Sequence, residues 1–353
     1  MKSTRALAAL CALSALGLTA SACSAVGQET DSSAADKQVV LVTHDSFVLP
    51  KKLEQEFEKQ SGYQLVVRAS GDAGQLTNKL VLTKDDPIGD VSFGVDNTFA
   101  SRALDAGVFA PYSFHEPKGV SDYALPGDDQ HRLTPVDNGN VCVNVDDTWF
   151  ADHHLAPPKT LDDLTKPAYR DLFVLPGAAT SSTGMAFLLS TIAAYGSGWQ
   201  DYWSKLMDNG AELTAGWSDA YEVDFTQGGG KGDRPIVLSY DSSPAFTVPK
   251  GSSTSTTSAL LDTCFEQVEY AGVLSGARNV AGAEAFVKFL ETPEVQAALP
   301  ESMYVFPVVD GVKLPTEWAK FAVQPTKPYA VDPAEIAAHR DEWLRDWSDV
   351  TSR

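Results

Sequence analysis

Three aspartates stand just past three apolar runs. Asp45 follows VVLVT (39–43), Asp72 follows YQLVVRA (63–69), and Asp96 closes GDVSFGVD (89–96) with Asn97 beside it. A carboxylate at the carboxyl end of a strand can meet a cation or accept from a donor, and three at successive strand ends would converge on one cleft. Each alone is equally a solvated turn acid or a helix N-cap; jointly they favour a site. Ser181, Ser182, Thr183 and Gly184 precede an apolar helical run. Their hydroxyls and free N–H groups form either an anion-binding helix start or a plain cap. Trp217, after Gly216 in AGWSDAY (215–221), reads on burial alone as a core residue.

Catalysis is not indicated. His44 and Asp45 are adjacent, and adjacent strand residues face opposite ways. His153 and His154 lack metal-ligand spacing. There is no G-x-S-x-G elbow, phosphate loop or dinucleotide fingerprint. No catalytic residue, metal or cofactor is therefore assigned.

The elements that must position these residues alternate. Strands are expected at 39–43, 63–69, 89–93, 141–145, 171–175, 235–240 and 267–274. Helices are expected at 49–60, 74–82, 98–106, 184–195, 281–299 and 333–348, from apolar residues three and four apart. Such alternation predicts an α/β sheet with its ligand chemistry at strand ends. Gly/Lys-rich 228–233 and Ser/Thr-rich 251–258 read as surface loops.

Lys2 and Arg5 precede an apolar stretch (6–20) too short for a comfortable membrane span. It ends in Ala20-Ser21-Ala22-Cys23, which resembles a bacterial lipobox, so 1–23 reads as a lipoprotein signal with Cys23 as the lipidated residue, the alternative being ordinary signal cleavage after an A-x-A-like site with a soluble product. Residues 24–37 are polar, without apolar periodicity, and read as a flexible tether. The chain carries 27 basic and 47 acidic residues, net charge −20. That disfavours nucleic acid as a partner and is compatible with a cationic ligand, though charge alone also serves solubility. Beyond the signal, Cys142 and Cys264 remain as an even pair in an oxidising compartment, either a disulfide or two buried thiols.

Two segments, AFVKFLETPEVQ (285–296) and YVFPV (304–308), resemble extracellular solute-binding proteins generally. HDSF (44–47), GDVSFGVDN (89–97), AGWSDAY (215–221) and LSYDSSPAF (238–246), in that order, resemble the thiamine-binding proteins of ABC importers, with the similarity running over 39–353. The resemblance implies the two-lobed type 2 periplasmic-binding-protein fold, with two chain crossings at a hinge. Lobe one would be 39–138 with 267–353, and lobe two 139–266. It implies a monomer that captures thiamine or a thiamine phosphate and passes it to a permease. The implied ligand contacts are Asp45, Ser46, Asp72, Asp96 and Asn97; the 181–184 loop toward a phosphate or hydroxyl; and Trp217, Tyr221, Tyr240, Asp241, Phe246 and Tyr304.

Departures from the family's pattern concern the ligand. His44 stands where an aromatic residue is familiar, Tyr304 where a tryptophan is, Phe246 where a tyrosine is, and Asp241 where a neutral hydroxyl residue is usual. The rival ligands are a polyamine, a phosphonate or ferric ion. Ferric sites of this fold favour adjacent tyrosines, and this chain has no Tyr-Tyr pair.

Overall fold

The computed structural model describes residues 37–352. The signal segment, Cys23 and tether residues 24–36 lie outside the described residues. The first strands form as their β-branched runs predict: β1 Gln38–Thr43, β2 Gln64–Ala69 and β3 Val91–Asp96, parallel in the order β2-β1-β3. Helix α1, Lys51–Ser61, buries Leu53 and Phe57 and stops at Gly62, whose φ of 77° suits a left-handed helix end. Helix α2, Ala73–Leu82, starts at Asp72, which caps it. The short α3, Ala100–Asp105, follows β3.

The sheet continues through strands that run the other way. β9, Phe265–Val273, is antiparallel to β3 and to β4, a thirteen-residue strand spanning Thr134–Asp146. β4 pairs with β9 from Thr134 to Val141 and with β7, Ile236–Tyr240, from Val141 to Val145. One strand thus carries the sheet from its first half to its second, where β5, Phe173–Pro176, lies parallel to β6, Glu212–Thr214, and to β7. Cys142 in β4 and Cys264 at the start of β9 are joined by a disulfide at this crossing, with Cα atoms 4.2 Å apart.

Helices cover the second half: α4 Asp147–Asp152, α5 Ser182–Tyr195 and α6 Trp199–Asp208. The 267–299 region departs from the sequence expectation. A single helix over 281–299 is not formed; α7, Val280–Leu290, ends and α8, Pro293–Met303, begins anew. Pro293 lacks the N–H that would continue the first helix, and it disfavours helical geometry in the residue before it. The expected loop at 251–258 is partly strand, because β8, Thr257–Ala259, pairs with β4. The strand expected at 141–145 is the end of the much longer β4. β10, Phe306–Pro307, and α9, Thr316–Ala319, lead to the last helix, α10, Pro333–Thr351. α10 bridges both halves: Trp347 meets Trp203 of α6 edge-on at 5.6 Å, and Arg340 lies 5.9 Å from the Phe99 ring beside α3.

Candidate functional site

The carboxyl ends of parallel strands in both halves face one another across a cavity of about 190 Å³. From the first half, the turn after β1 supplies His44, Asp45 and Ser46, and the turn after β2 supplies Asp72. From the second, Trp217, Ser218 and Glu222 follow β6, Tyr240 ends β7, and Ser182 opens α5. Glu269 reaches it from β9, and the turn around Tyr304 closes one side.

The lining is strongly acidic. Asp45, Asp72, Glu222 and Glu269 contribute carboxylates, and no Lys or Arg is among the lining residues. His44 is buried, with Nε2 3.2 Å from Glu269 Oε1, an ion-pair contact rather than an aligned hydrogen bond. Burial opposes a charge on this ring, but Glu269, helped by Asp72 and Asp45, outweighs it and holds the imidazole above its ordinary value. Burial raises the Asp72 carboxyl, against hydrogen bonds from the backbone of Trp217 and Ala73. Burial also lifts Tyr240 well above the usual phenol range, with Glu269, Asp72, Asp96 and Asp137 adding repulsion. A group that would become an anion is disfavoured here; a cation is favoured.

The other wall is aromatic. Trp217 stacks on Tyr221 at 5.0 Å and 11°, and its Nε1 donates to Ser239 Oγ at 2.9 Å. Tyr240 and Tyr304 lie 6.3 and 5.9 Å from it. Tyr304 ends α8 with φ 64°, a backbone state uncommon for a residue with a side chain. Its carbonyl accepts from Ser242 Oγ. Trp217 is therefore both a core residue, only 7 % exposed, and a cavity wall.

Several expected contacts lie elsewhere. Asp96 does not converge with Asp45 and Asp72: it is fully buried, accepting from Thr98 and Phe99 at the start of α3. Its local helix start takes up the carboxylate. Asn97 is turned to β9, bonding Glu266 O and Val268 N. Asp241 accepts from the backbone and side chain of Asn140, so its carboxylate faces the crossing strand and not the cavity. Of 181–184, only Ser182 lines the cavity. Ser181 Oγ pairs with Thr183 Oγ1 at 3.0 Å, both buried. Gly184 packs so tightly that a Cβ would come 2.5 Å from Pro176 O. Tyr221 backs Trp217, and Phe246 backs Tyr304 at 3.5 Å; neither lines the cavity.

Residues 86–326 match the family described as bacterial extracellular solute-binding protein. The chain belongs to this family. It is 30 % identical over 344 residues to the thiamine-binding periplasmic protein of Brucella melitensis, covering 95 % of this chain and 98 % of that one. It is 27 % identical to the thiamine-binding periplasmic protein of Escherichia coli, over 89 % and 94 % of the two chains. Its fold is similar to that of a solved periplasmic thiamin binding protein, with a TM-score of 0.77, 26 % identity and coverage of 90 % and 96 %.

This solute-binding protein has the two-lobed fold of the periplasmic binding proteins, and the sheet halves meet across the cleft by direct contacts. Asp72 Oδ2 accepts from Trp217 N at 2.8 Å, Gln75 N donates to Thr180 O at 3.1 Å, and the Ser46 and Ser218 hydroxyls are 3.5 Å apart. Gly216 permits the first: a Cβ there would sit 3.1 Å from Asp72 Oδ2. No helix among the described residues is long and apolar enough to cross a membrane.

Glu269, Glu222, Ser218 and Val48 line the cleft beyond the sequence expectation, as does His44, which the sequence marks by its adjacency to Asp45 and as a departure from the family's pattern. A signal for Glu269 existed: it is an acid in the middle of a mostly apolar run (268–273), where a charge costs free energy unless it has a partner or a role. Glu222 had none, because it reaches the cavity from a π-helical turn, Asp219–Asp224, that no periodicity announces.

Proposed function

We propose that this protein captures thiamine or a thiamine phosphate outside the cytoplasm and delivers it, chemically unchanged, to the permease of an ABC importer. The observation that carries this reading is the cleft's combination of four lining carboxylates, no lining Lys or Arg, and a wall of Trp217, Tyr240 and Tyr304. A thiazolium cation gains from aromatic faces and carboxylates together. The names of the relatives point the same way. Asp45 and Asp72 would meet the positive charge, and Ser46 and Ser182 the hydroxyl or amino groups. In this reading 39–138 and 267–353 form one lobe and 139–266 the other, with α10 of the first also packed on the second. Cys23 would carry the lipid that tethers a monomer to the membrane.

A thermal-shift screen with thiamine, its phosphates, spermidine and ferric citrate tests the ligand. Stabilisation by a thiamine form is expected. Stabilisation by spermidine in its place would move the reading to a polyamine. The mass of the mature protein, with diacylglycerol on Cys23, tests the anchor; an unmodified or absent Cys23 would refute it.

A further inference from the structure

We propose that Glu269 selects for a positively charged ligand in this cleft, with His44 as its positioning partner that yields a proton when that charge arrives. This rests on the cation-binding reading above.

Glu269 is an unusual place for an acid. It lies on β9 in mid-sheet, opposite Asp96 on β3 and Asp137 on β4, so three acids stand in one row across three strands. It is 5 % exposed, and what remains uncovered opens on the cavity. A carboxylate so placed destabilises the fold unless a cation or donors compensate it. Neither neighbour supplies a positive charge. Asp137 is wholly buried and faces Glu269 side chain to side chain. Burial, then the charge of Glu269, a side-chain hydrogen bond shared with Glu269 and the charge of Glu291 raise Asp137 well above the carboxylate range, so it stands beside Glu269 as a neutral acid that can donate to it but brings no positive charge. Asp96 is pushed up to about 7 by burial, with Glu269 adding to it. Among the described residues, the cation that meets Glu269 is His44.

The backbone makes room for that contact. β3 is irregular between Phe93 and Val95, and Gly94 there has φ 99°. A Cβ at Gly94 would lie 2.0 Å from His44 Cδ2. The His44 ring therefore occupies space that only a glycine at 94 leaves, and there its Nε2 lies 3.2 Å from Glu269 Oε1. Asp45 and Asp72 act on the same ring from the turns after β1 and β2 and favour its charge, and Tyr240, a neutral phenol, lines the same cavity from β7.

A ligand cation entering beside Glu269 competes with the proton on His44 for one carboxylate. The like charge lowers the imidazole's proton affinity, and the proton on Nε2 passes to buffer. Binding should then strengthen as pH rises, and an uncharged molecule in the same cleft should release no proton.

The test is titration calorimetry between about pH 6.5 and 8, in two buffers of different ionisation enthalpy. The probes are thiamine, its neutral half 4-amino-5-hydroxymethyl-2-methylpyrimidine, and spermidine. For the wild type, thiamine should release a fraction of a proton and the pyrimidine none. Glu269→Gln should weaken thiamine tenfold or more, change the pyrimidine less than threefold, and abolish the buffer dependence. His44→Gln should also abolish proton release while keeping the preference for the cation. Thiamine binding by Glu269→Gln at wild-type affinity, or equal losses for thiamine and pyrimidine, would overturn the proposal. If Glu269→Gln does not fold, buffer-independent thiamine binding by the wild type overturns it. A wild type that binds spermidine and not thiamine fails the ligand assignment alone, and the same comparisons then run with spermidine; one that binds neither cation overturns both.

Discussion

Replacing Asp72 by alanine should open the cleft. Its two oxygens have separate tasks. Oδ1 accepts from Ala73 N at 2.6 Å and caps α2, a bond made within one sheet half. Oδ2 accepts from Trp217 N at 2.8 Å, a bond that exists only while the halves are together. Loss of the cap costs about 1 kcal/mol in open and closed forms alike, so it cancels in their ratio and appears only in the melting temperature. Loss of the second bond falls on the closed form alone. A hydrogen bond to a carboxylate contributes about 1.5–3 kcal/mol, so the closed-to-open ratio should fall by roughly 10- to 150-fold. Small-angle scattering should show a larger radius of gyration for Asp72→Ala with and without ligand, and the Trp217 amide should exchange faster. Unchanged scattering together with unchanged protection of that amide would refute the latch.

Other consequences follow the same residues. Trp217→Ala should weaken thiamine binding by about 1–2 kcal/mol, the scale of a desolvated cation–π contact, and lower stability by about 3–5 kcal/mol; Trp217→Phe should keep most binding but lose the bond to Ser239, and equal affinity for all three proteins would make the residue core alone. Stability should fall as pH rises from about 5 to 8. Burial holds Asp96, Asp241 and Glu291 up to about 7, about 6 and about 9. Each keeps a proton in the folded protein where the unfolded chain has lost it, so each contributes a downward slope of at most about 1.4 kcal/mol per pH unit. His44, raised, acts in the same direction, its contribution disappearing as pH climbs through its folded value. Asp163, lowered to about 2, loses its contribution only as pH falls below this window. A melting temperature higher at pH 8 than at pH 5 would contradict this. For the crosslink, Cys142→Ala/Cys264→Ala should melt well below the parent, since the bond closes a 122-residue separation, worth about 5 kcal/mol on loop entropy alone; two free thiols in the unreduced, unfolded parent lacking Cys23 would show that the bond does not form.

Local pattern made much of this fold legible. The apolar runs before Asp45 and Asp96 became buried parallel strands, because a strand covered on both faces needs continuous apolar residues, and the run before Asp72 became the largely exposed edge strand beside them. The strand ends also located the cleft, since ligand chemistry in such sheets lies at carboxyl ends. Pattern did not reveal which acids face inward. Asp72 and Asp96 look alike in sequence, yet Asp96 is taken up by its own helix start, whereas Asp72 caps α2 with one oxygen and reaches across with the other. Asp241 was drawn away by Asn140, a residue 101 positions earlier, a pairing set by sheet register. Glu269 became a cleft residue for the same reason, because its neighbours His44, Asp96 and Asp137 come from three distant segments. The split between α7 and α8 was readable in Pro293 and was outweighed by the apolar periodicity around it.

Reversible capture of a thiamine-type cation without chemistry is tested most directly by calorimetry with recovery of the ligand. Thiamine titrated into ligand-free protein should give saturable one-to-one binding, and the ligand recovered after denaturing the complex should have its original mass. No heat with any thiamine form at protein concentrations well above micromolar, or an altered ligand on recovery, would contradict it.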